Sequence, residues 1–492
     1  MSKIKLRPYQ LEFVSNLSKS VAKNGRIIAC APTGSGKSKT FITISEKSTS
    51  KGRAVIIISE SVKIHKQISD EAGGTDIANG VRFVSIENGR LYVAMAQTLV
   101  RRPLILRQIN QLDPPPLVIV DEAHIGTPTN LLKKLNPDIM ILGFTATPDA
   151  RVAKHLPELY SDCVICCSVD DLIQQNFLCS YTHYARSNSG LSVLELRNGE
   201  YTEASQNNAF NTNEVYEGIF DDLDKIPYTK CMIFVASIAH CEDMYIKLQE
   251  RGYRATRYHS KLGKSASYEL AKFTELGIAD ICVSVGSLTK GFDFPEIDLV
   301  ILNRATTSLP LYLQMIGRAS RPVFATNKNH FYCLDYGGNW ERHGLYWDDR
   351  PWDILWKQKK KTRKSLGTMT VAQCEQCDAI ISASVNICPY CGYKRPKTEK
   401  ELAQGELVEI TASYNNLVGR AISTLSPQEL SVYAKMKVKQ RFAARIAKAR
   451  EQQTPGFIRE FGKAMGYKPG WADMQISMIG DEPIEFTDIT LR

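Results

Sequence analysis

The stretch APTGSGKS at residues 31–38 follows directly after the apolar run RIIAC. A turn that binds phosphate needs glycines, so that backbone N–H groups can close around the oxygens, a lysine to neutralise charge, and a hydroxyl to hold Mg²⁺. Two glycines, Lys37 and Ser38 supply these groups, although Ala31 stands where the usual fingerprint has its first glycine. The helix-compatible KTFITISEK comes next. We therefore predict a nucleotide-phosphate loop rather than an ordinary connection.

Short apolar runs recur on both sides of this turn and predict the fold class. RIIACA, AVIIIS, LVIVDEAH and IMILGFTAT lack period-two alternation, which is typical of parallel strands buried on both faces. The pattern restarts with KCMIFVAS, ADICVSVGS, DLVILNRA and HFYCLDYG. The sequence therefore predicts an α/β chain with two tandem parallel-sheet domains.

A chain of 492 residues is longer than a single hydrophobic core usually supports, so we expect more than one domain. We divide it into a first domain with its connector at 1–205, a second domain at 206–338, a Trp-rich basic linker at 339–372, a cysteine module at 373–396 and a helical basic region at 397–492.

The net charge of +10 is concentrated near the C-terminus, because residues 357–450 carry 18 Lys or Arg and 7 Asp or Glu. Such a basic module is expected of a protein that contacts phosphate backbones, although solvated helix faces would give the same count.

No apolar window is long enough to span a membrane, and the N-terminus lacks a secretion signal. We expect a soluble protein in the cytoplasm of a bacterial or phage-infected cell, without a membrane partner.

Two further stretches could complete a nucleotide site. In LVIVDEAH, Asp121 and Glu122 end a buried strand at the sheet edge where an ion held by Ser38 would lie, although a strand-end acidic turn is also common. In QMIGRASR, the spacing of Gln314, Arg318 and Arg321 predicts one face of a helix. Such arginines usually face solvent, but here they could stabilise charge on a γ-phosphate.

LRPYQ, APTGSGKS, AQT, DEAH, TAT, MIFVAS, VSVGSLTKGFDFPEIDLVIL and QMIGRASR occur in the order and spacing of a superfamily-two helicase. The chain resembles this family over about residues 4–338, and it looks most like the RadD-type and phage-encoded DNA helicases. The resemblance implies two RecA-like domains that bind ATP and Mg²⁺ between them.

Site residues follow from the resemblance position by position. Arg7 and Gln10 would recognise adenine, and Thr145 and Thr147 would link hydrolysis to domain movement. The positions that would bind or act on the nucleotide are Gly34, Ser35, Gly36, Lys37, Ser38, Asp121, Glu122, Gly291, Asp293, Gln314, Arg318 and Arg321. The positions that would touch the nucleic-acid backbone are Gln97, Thr98, Ser284 and Thr289, which could instead act as caps.

Two C-x2-C pairs follow the second domain, separated by ten residues. Four thiolates in this spacing favour a tetrahedral, structural Zn²⁺ over a redox dithiol. Four of the five tryptophans lie just before the module and its basic run KQKKKTRK, where they could stack on unpaired bases or simply pack against the second domain. The predicted zinc ligands are Cys374, Cys377, Cys388 and Cys391.

These features together predict an ATP-dependent DNA helicase or translocase that acts on forked, branched or single-stranded DNA. Replication, recombination and repair intermediates are the expected substrates, with branch migration one activity and replication or recombination proteins as partners. An RNA helicase and the translocating subunit of a restriction system are alternatives. A zinc-containing nucleic-acid-binding protein with a vestigial motor is the alternative that is not an enzyme.

Overall fold

The computed structural model describes residues 5–357, apart from 60–61, 78–83, 127, 187–193, 198, 287 and 289–293, and beyond them 371–373, 380–382, 407–409, 426, 429, 456 and 459–460. The four cysteines predicted to bind zinc lie outside these residues. None of the described helices combines the length and the apolar character that crossing a bilayer requires.

The first lobe is a seven-stranded, fully parallel sheet in the order β3-β4-β2-β5-β6-β1-β7. Alternate residues of one strand enter two different hydrophobic clusters, Ile56 and Ile58 in one and Val55 and Ile57 in the other. Both faces of the sheet are therefore buried, as the uninterrupted apolar runs predict. Its elements are α1 (Pro8–Asn24), β1 (Arg26–Cys30), α2 (Lys37–Thr49), β2 (Val55–Ser59), α3 (Val62–Ala72), β3 (Thr75–Ile77), β4 (Leu91–Met95), α4 (Ala96–Val100), α5 (Pro103–Gln111), β5 (Leu117–Val120), α6 (Thr129–Leu132), β6 (Met140–Thr145), α7 (Leu156–Leu159), β7 (Asp162–Ile165) and α8 (Val169–Gln174).

The second lobe is another seven-stranded sheet, in the order β12-β13-β11-β14-β15-β8-β18. All neighbours pair in parallel except β18, which is antiparallel to β8. Its elements and those that follow are β8 (Ser180–Arg186), β9 (Leu196–Arg197), β10 (Glu200–Tyr201), α9 (Glu203–Phe210), α10 (Asn213–Lys225), β11 (Cys231–Val235), α11 (Ile238–Glu250), β12 (Ala255–Tyr258), α12 (Ala266–Thr274), β13 (Ile281–Ser284), β14 (Leu299–Asn303), α13 (Leu309–Ile316), β15 (His330–Asp335), α14 (Asn339–His343), α15 (Trp352–Leu355), β16 (Val371–Gln373), β17 (Ile380–Ser382) and β18 (Leu407–Glu409).

The prediction of two parallel-sheet α/β lobes is confirmed. The second sheet, however, takes β8 from upstream of residue 206, where the sequence places the domain boundary, because β8 pairs with β15 along its length. It also takes β18 from the region predicted to be helical. A three-residue strand beyond a long stretch of polar chain leaves no periodic pattern by which to recognise it.

A segment that we call the strap, residues 339–357, runs from the second lobe back to the first. Trp340 packs with Ala185 and Leu345, and it is 6% exposed. Trp356, 4% exposed, belongs to the hydrophobic core of the first lobe, and the Ala150 N–H donates to the Leu355 carbonyl at 3.0 Å. The lobes are thus joined by the strap as well as by the chain between β7 and β8.

The strap is held in shape by one arginine. The Arg350 guanidinium donates to four strap carbonyls at 2.8–3.4 Å, those of His343, Leu345, Tyr346 and Asp348. Trp347 and Trp352 lie half-buried against the core of the second lobe. Packing against the second lobe, one of the two roles that the sequence leaves open for these tryptophans, is thus seen for Trp340, Trp347 and Trp352, whereas Trp356 packs into the first lobe.

Replacing Trp356 by Ala is expected to lower the free energy of unfolding of the first lobe by about 3 to 5 kcal/mol, because the indole fills part of its core. Urea unfolding followed by circular dichroism measures this. Ile354→Ala, two residues away and 58% exposed, is the matched control and should change stability by less than about 0.5 kcal/mol. Equal effects of the two substitutions would contradict the role assigned to the strap.

Candidate nucleotide site between the lobes

Three neighbouring strands of the first sheet end at one point. β5, β6 and β1 are adjacent and parallel, so their carboxyl ends share one edge. The phosphate loop follows β1, Asp121 follows β5 and Thr145 ends β6. Residues far apart in the chain are thereby brought to one edge, which is where parallel α/β sheets usually bind their ligands.

The phosphate loop depends on two glycines in the left-handed region. Gly34 has φ 83° and Gly36 has φ 78°, which other residues adopt only with strain. A Cβ on Gly36 would also lie 2.7 Å from the Gln10 amide nitrogen. The 13-residue helix α2 begins at Lys37, so its free N–H groups and positive dipole end point into the loop. The loop is built to hold an anion.

Helix α1 braces this loop from outside. Gln10 donates from Nε2 to the Ser35 carbonyl at 3.0 Å and to that of Gly36 at 3.3 Å, and the Tyr9 hydroxyl donates to the same Ser35 carbonyl at 2.8 Å. The family resemblance implies that Gln10 recognises adenine. In this conformation its amide positions the phosphate loop, while the residue still lines the cavity that the loop faces.

Phe177 is a site residue that the sequence analysis missed. Its ring lies 4.6 Å from the guanidinium carbon of Arg7 and 5.1 Å from the ring of Tyr9, measured to the ring centroid. Phe177 lines the same cavity as Arg7 and Gln10. It follows α8 in the plain stretch QQNFLCS, which matches no motif, so only the folded chain brings it to the site.

The two carboxylates after β5 differ in their surroundings. The pKa of Asp121 is raised to about 7, chiefly by burial and also by the neighbouring Glu122, while Lys37 opposes both. Glu122 has φ 50°, a left-handed backbone that is unusual for a side chain of this size, and such strain concentrates at functional sites. Its carboxylate lies 3.2 Å from His124 Nδ1.

A chain of polar contacts connects Glu122 to the end of β6. His124 Nδ1 also hydrogen-bonds Thr145 Oγ1 at 2.9 Å, and the Thr147 N–H donates to the same hydroxyl oxygen at 3.1 Å. Ala146, between these threonines, lines a second cavity together with Leu313 and Tyr346 of the second lobe. The contacts thus run from Glu122 to Thr147, and Ala146 faces the second lobe across this cavity. The predicted role of Thr145 and Thr147 in linking hydrolysis to domain movement stays a prediction.

The sequence predicts that Gln314, Arg318 and Arg321 share one face of a helix, but this prediction is wrong. Helix α13 ends at Ile316, and the chain continues through a tighter turn in which the Ala319 N–H donates to the Ile316 carbonyl. Pro322 disfavours a helical conformation for Arg321 before it. Arg318 and Arg321 nevertheless both line the cavity of the phosphate loop, whereas the buried Gln314 is not among its lining residues.

The two lobes meet directly at the phosphate loop. A Cβ on Gly34 would lie 2.9 Å from Leu178 Cδ2, 3.1 Å from Ser320 Oγ and 3.6 Å from Arg321 Cγ. The Tyr346 hydroxyl of the strap donates to the Thr33 carbonyl at 3.3 Å. The loop is thus part of the interface between the lobes.

The resulting cavity has a volume of about 440 Å³. Most of the predicted nucleotide residues line it, namely Arg7, Gln10, Gly34, Gly36, Lys37, Ser38, Asp121, Glu122, Arg318 and Arg321. Ser35 belongs to the loop, but it is buried and does not line the cavity. Gly291 and Asp293 lie outside the described residues, as does Thr289.

The predicted nucleic-acid contacts are not gathered on one open surface. Gln97 is exposed on α4, but Thr98 is 5% exposed, and Ser284 at the end of β13 is fully buried. In this conformation Thr98 and Ser284 cannot reach a ligand without movement of the surrounding chain, so their role stays a prediction.

Comparison with known proteins identifies the family. Residues 3–150 match the family model described as "Type III restriction enzyme, res subunit", and residues 214–323 match "Helicase conserved C-terminal domain". The chain belongs to the superfamily-two helicases. The two matches lie one in each lobe, and these helicase domains imply ATP-hydrolysing activity.

Two viral proteins are similar to this chain over most of its length. This helicase is 27% identical over 385 residues to the "51.5 kDa protein" of a Lactococcus phage (isolate 7-9), covering 77% of this chain and 80% of that one. It is 25% identical over 369 residues to "Putative helicase 22" of the Sulfolobus islandicus filamentous virus, covering 68% of this chain and 64%, just under two thirds, of that one.

Among solved structures, a fragment of a "putative HsdR subunit of a type I restriction enzyme" from Vibrio vulnificus YJ016 has the same fold. The TM-score is 0.57 at 20% identity, over 72% of this chain and 67% of that one.

Phe177→Ala is expected to raise KM for ATP by about 3- to 30-fold and to change kcat little, because the ring supports Arg7 by a cation–π contact and holds α1 against the loop. Steady-state hydrolysis assays measure both constants. Phe177→Leu keeps the bulk but not the ring and should give an intermediate KM. An unchanged KM for Phe177→Ala would show that the ring has no part in nucleotide binding.

Proposed function

We propose that the chain is an ATP-dependent DNA helicase or translocase, which hydrolyses ATP while it moves along forked, branched or single-stranded DNA. The observation that carries the proposal is the single cavity that places Lys37 and Glu122 of the first lobe together with Arg318 and Arg321 of the second. A nucleotide bound there would contact both lobes, so that its binding and hydrolysis would change how the lobes are held together.

A divalent cation fits the donor set beside the phosphate loop. Asp121 and Glu122 are adjacent carboxylates in a poorly solvated corner, where their mutual repulsion contributes to the raised pKa of Asp121. A cation would remove this repulsion, and the oxygens of Ser38 and Asp121 are the ligands that Mg²⁺ prefers. When bound, Mg²⁺ would neutralise charge on the phosphates.

The chain's own residues then have separate roles. Lys37 and the N-terminus of α2 would bind the phosphate oxygens, and Glu122, oriented by His124, would accept a proton from the attacking water. Arg318 and Arg321 would stabilise the charge that develops on the γ-phosphate, an effect worth roughly 10³ to 10⁵ in rate in related phosphoryl transfers.

DNA, rather than RNA, is proposed as the nucleic acid for reasons that lie outside the nucleotide site. The first family model is named for a restriction enzyme, a class that acts on DNA, and the related solved structure carries the name of a restriction subunit. The basic C-terminal region supports contact with a phosphate backbone. Replication, recombination or repair intermediates are the proposed substrates, and branch migration is one way in which the motor could act on them.

Glu122→Gln tests the motor. The substitution is expected to lower kcat for ATP by at least about 10²-fold with little change in KM, because the neutral amide cannot take the proton of water. Glu250→Gln, an exposed position on α11, is the control. Undiminished hydrolysis in Glu122→Gln would remove this residue from the proposed chemistry.

The same assay distinguishes the alternatives. Forked DNA, four-way junctions, single-stranded DNA and RNA are compared as stimulators of the wild-type protein. We expect DNA to raise kcat and RNA to leave it unchanged. Stimulation by RNA alone would favour an RNA helicase, and absence of hydrolysis with every nucleic acid would favour the vestigial motor.

The cysteine module is proposed to hold one structural Zn²⁺ through Cys374, Cys377, Cys388 and Cys391. The described strands β16 and β17 pair antiparallel on either side of the first C-x2-C in sequence, which supports a knuckle-like hairpin.

Metal analysis by mass spectrometry is expected to find one zinc per full-length chain and none in Cys388→Ser/Cys391→Ser. Cys163→Ser, outside the module, should retain the metal. A wild-type protein purified without zinc, or a double variant that keeps it, would contradict the assignment.

A further inference from the structure

The turn after Arg321 is pinned by one lysine. Val323 and Lys328 form an isolated bridge around a short 3₁₀ helix, Phe324–Thr326, and Asn327 closes the turn with φ 55°. Lys328 lies at the end of this turn, and its ammonium is directed toward the backbone that precedes the turn. It donates to three backbone carbonyls, those of Pro295 at 2.7 Å, Ala319 at 2.6 Å and Arg321 at 2.7 Å.

These carbonyls belong to the two segments that carry the second lobe's side of the cavity. Pro295, Arg321 and Pro322 line the cavity, and Ala319 lies between the two arginines. Because α13 has ended at Ile316, no helical hydrogen-bond ladder fixes Arg321. An ammonium has three donors, and here all three are used to hold irregular backbone.

Burying an ammonium costs free energy, and a turn at the surface could be held without a buried charge. The position of Lys328 therefore argues for a role in the nucleotide site. The pKa of Lys328 is lowered to about 8, chiefly by burial. Of the groups that face it, the Arg321 guanidinium also lowers the pKa, whereas Cys179, Asp298 and Glu296 raise it. Below this pKa the ammonium can satisfy all three carbonyls. Above it the neutral amine has one donor fewer.

We infer that Lys328 is a positioning residue for ATP hydrolysis, which acts by fixing the backbone that carries Arg321, the second of the two arginines, against the segment around Pro295. The inference rests on the proposed role of these arginines. Lys328 lies outside every motif of the sequence analysis and does not line the cavity, so it would contact neither nucleotide nor metal. Its effect would appear in the chemical step, because the arginines meet the charge that develops there.

Lys328→Met removes the ammonium and keeps the length of the side chain. We expect kcat for ATP to fall by about 10- to 100-fold, since displacement of a catalytic group by about 1 Å costs rates of this order, and KM to change by less than about threefold. Lys247→Met, at a partly exposed lysine on α11, is the matched control and should behave as wild type.

A double-mutant cycle with Arg321→Ala tests the route of the effect. If Lys328 acts through Arg321, the double variant will be no slower than Arg321→Ala alone. If the two losses multiply, Lys328 acts elsewhere and the inference is wrong. If Arg321→Ala lowers kcat while Lys328→Met does not, the inference also fails, and the proposed function stands. If Arg321→Ala itself keeps full activity, the proposed role of Arg321 is wrong. The inference about Lys328, which depends on that role, is then wrong as well.

A pH profile keeps the test decisive should Lys328→Met not fold, as judged by circular dichroism. Wild-type kcat is expected to fall as pH rises through about 8, because the amine then leaves one carbonyl without its donor. Lys328→Arg stays charged at higher pH and should lose this fall in activity. A wild-type profile that is flat through this pH, or an unchanged fall in Lys328→Arg, would overturn the inference.

Discussion

The absence of a side chain at Gly34 is the constraint on which the site depends. Leu178, Ser320 and Arg321 all come within 3.6 Å of the place where a Cβ would stand. The phosphate loop of one lobe can therefore lie directly on residues 317–322 of the other, which contain Arg318 and Arg321 and form the arginine turn. A loop that only bound phosphate would need its backbone N–H groups and its φ values, but it would not need this close approach.

From this contact, connections extend into both lobes. In the first, Glu122 reaches Thr145 through His124, and the next residues face the second lobe. In the second, the arginine turn is tied to the segment around Pro295. The strap adds a separate connection, since Tyr346 donates to the phosphate loop while Trp356 is buried in the first lobe. The phosphate site is therefore connected to both lobes and to the strap, as the proposed motor requires.

Sequence alone predicts the parts of this arrangement whose signal is local. The phosphate loop and the carboxylates after β5 are short stretches with a fixed relation to a strand, so parallel-sheet topology places them. The arginines were found by motif, but their geometry was predicted wrongly, because the helix ends at Ile316 before it reaches them. Just after this helix end, Gly317 lies so near the other lobe that a Cβ on it would be 2.7 Å from Thr33 Cγ2, a tertiary restriction that the local sequence does not reveal.

Residues that act over long sequence separations were not predictable. Phe177, Lys328 and Trp356 carry no motif, and each has its partners in segments to which only the fold connects it. The strand β18 is too short to show periodicity. The cysteine module is the opposite case, because its spacing predicts zinc but its ligands lie outside the described residues.

One nucleotide shared by the two lobes would lie within reach of residues from both. Photo-crosslinking with an ATP analogue that carries its reactive group on the γ-phosphate, followed by mass spectrometry of the peptides, measures this. We expect peptides containing the phosphate loop and peptides containing residues 318–322 both to be labelled, and unmodified ATP to compete with both. Labelling confined to peptides of the first lobe would contradict a nucleotide shared by the two lobes.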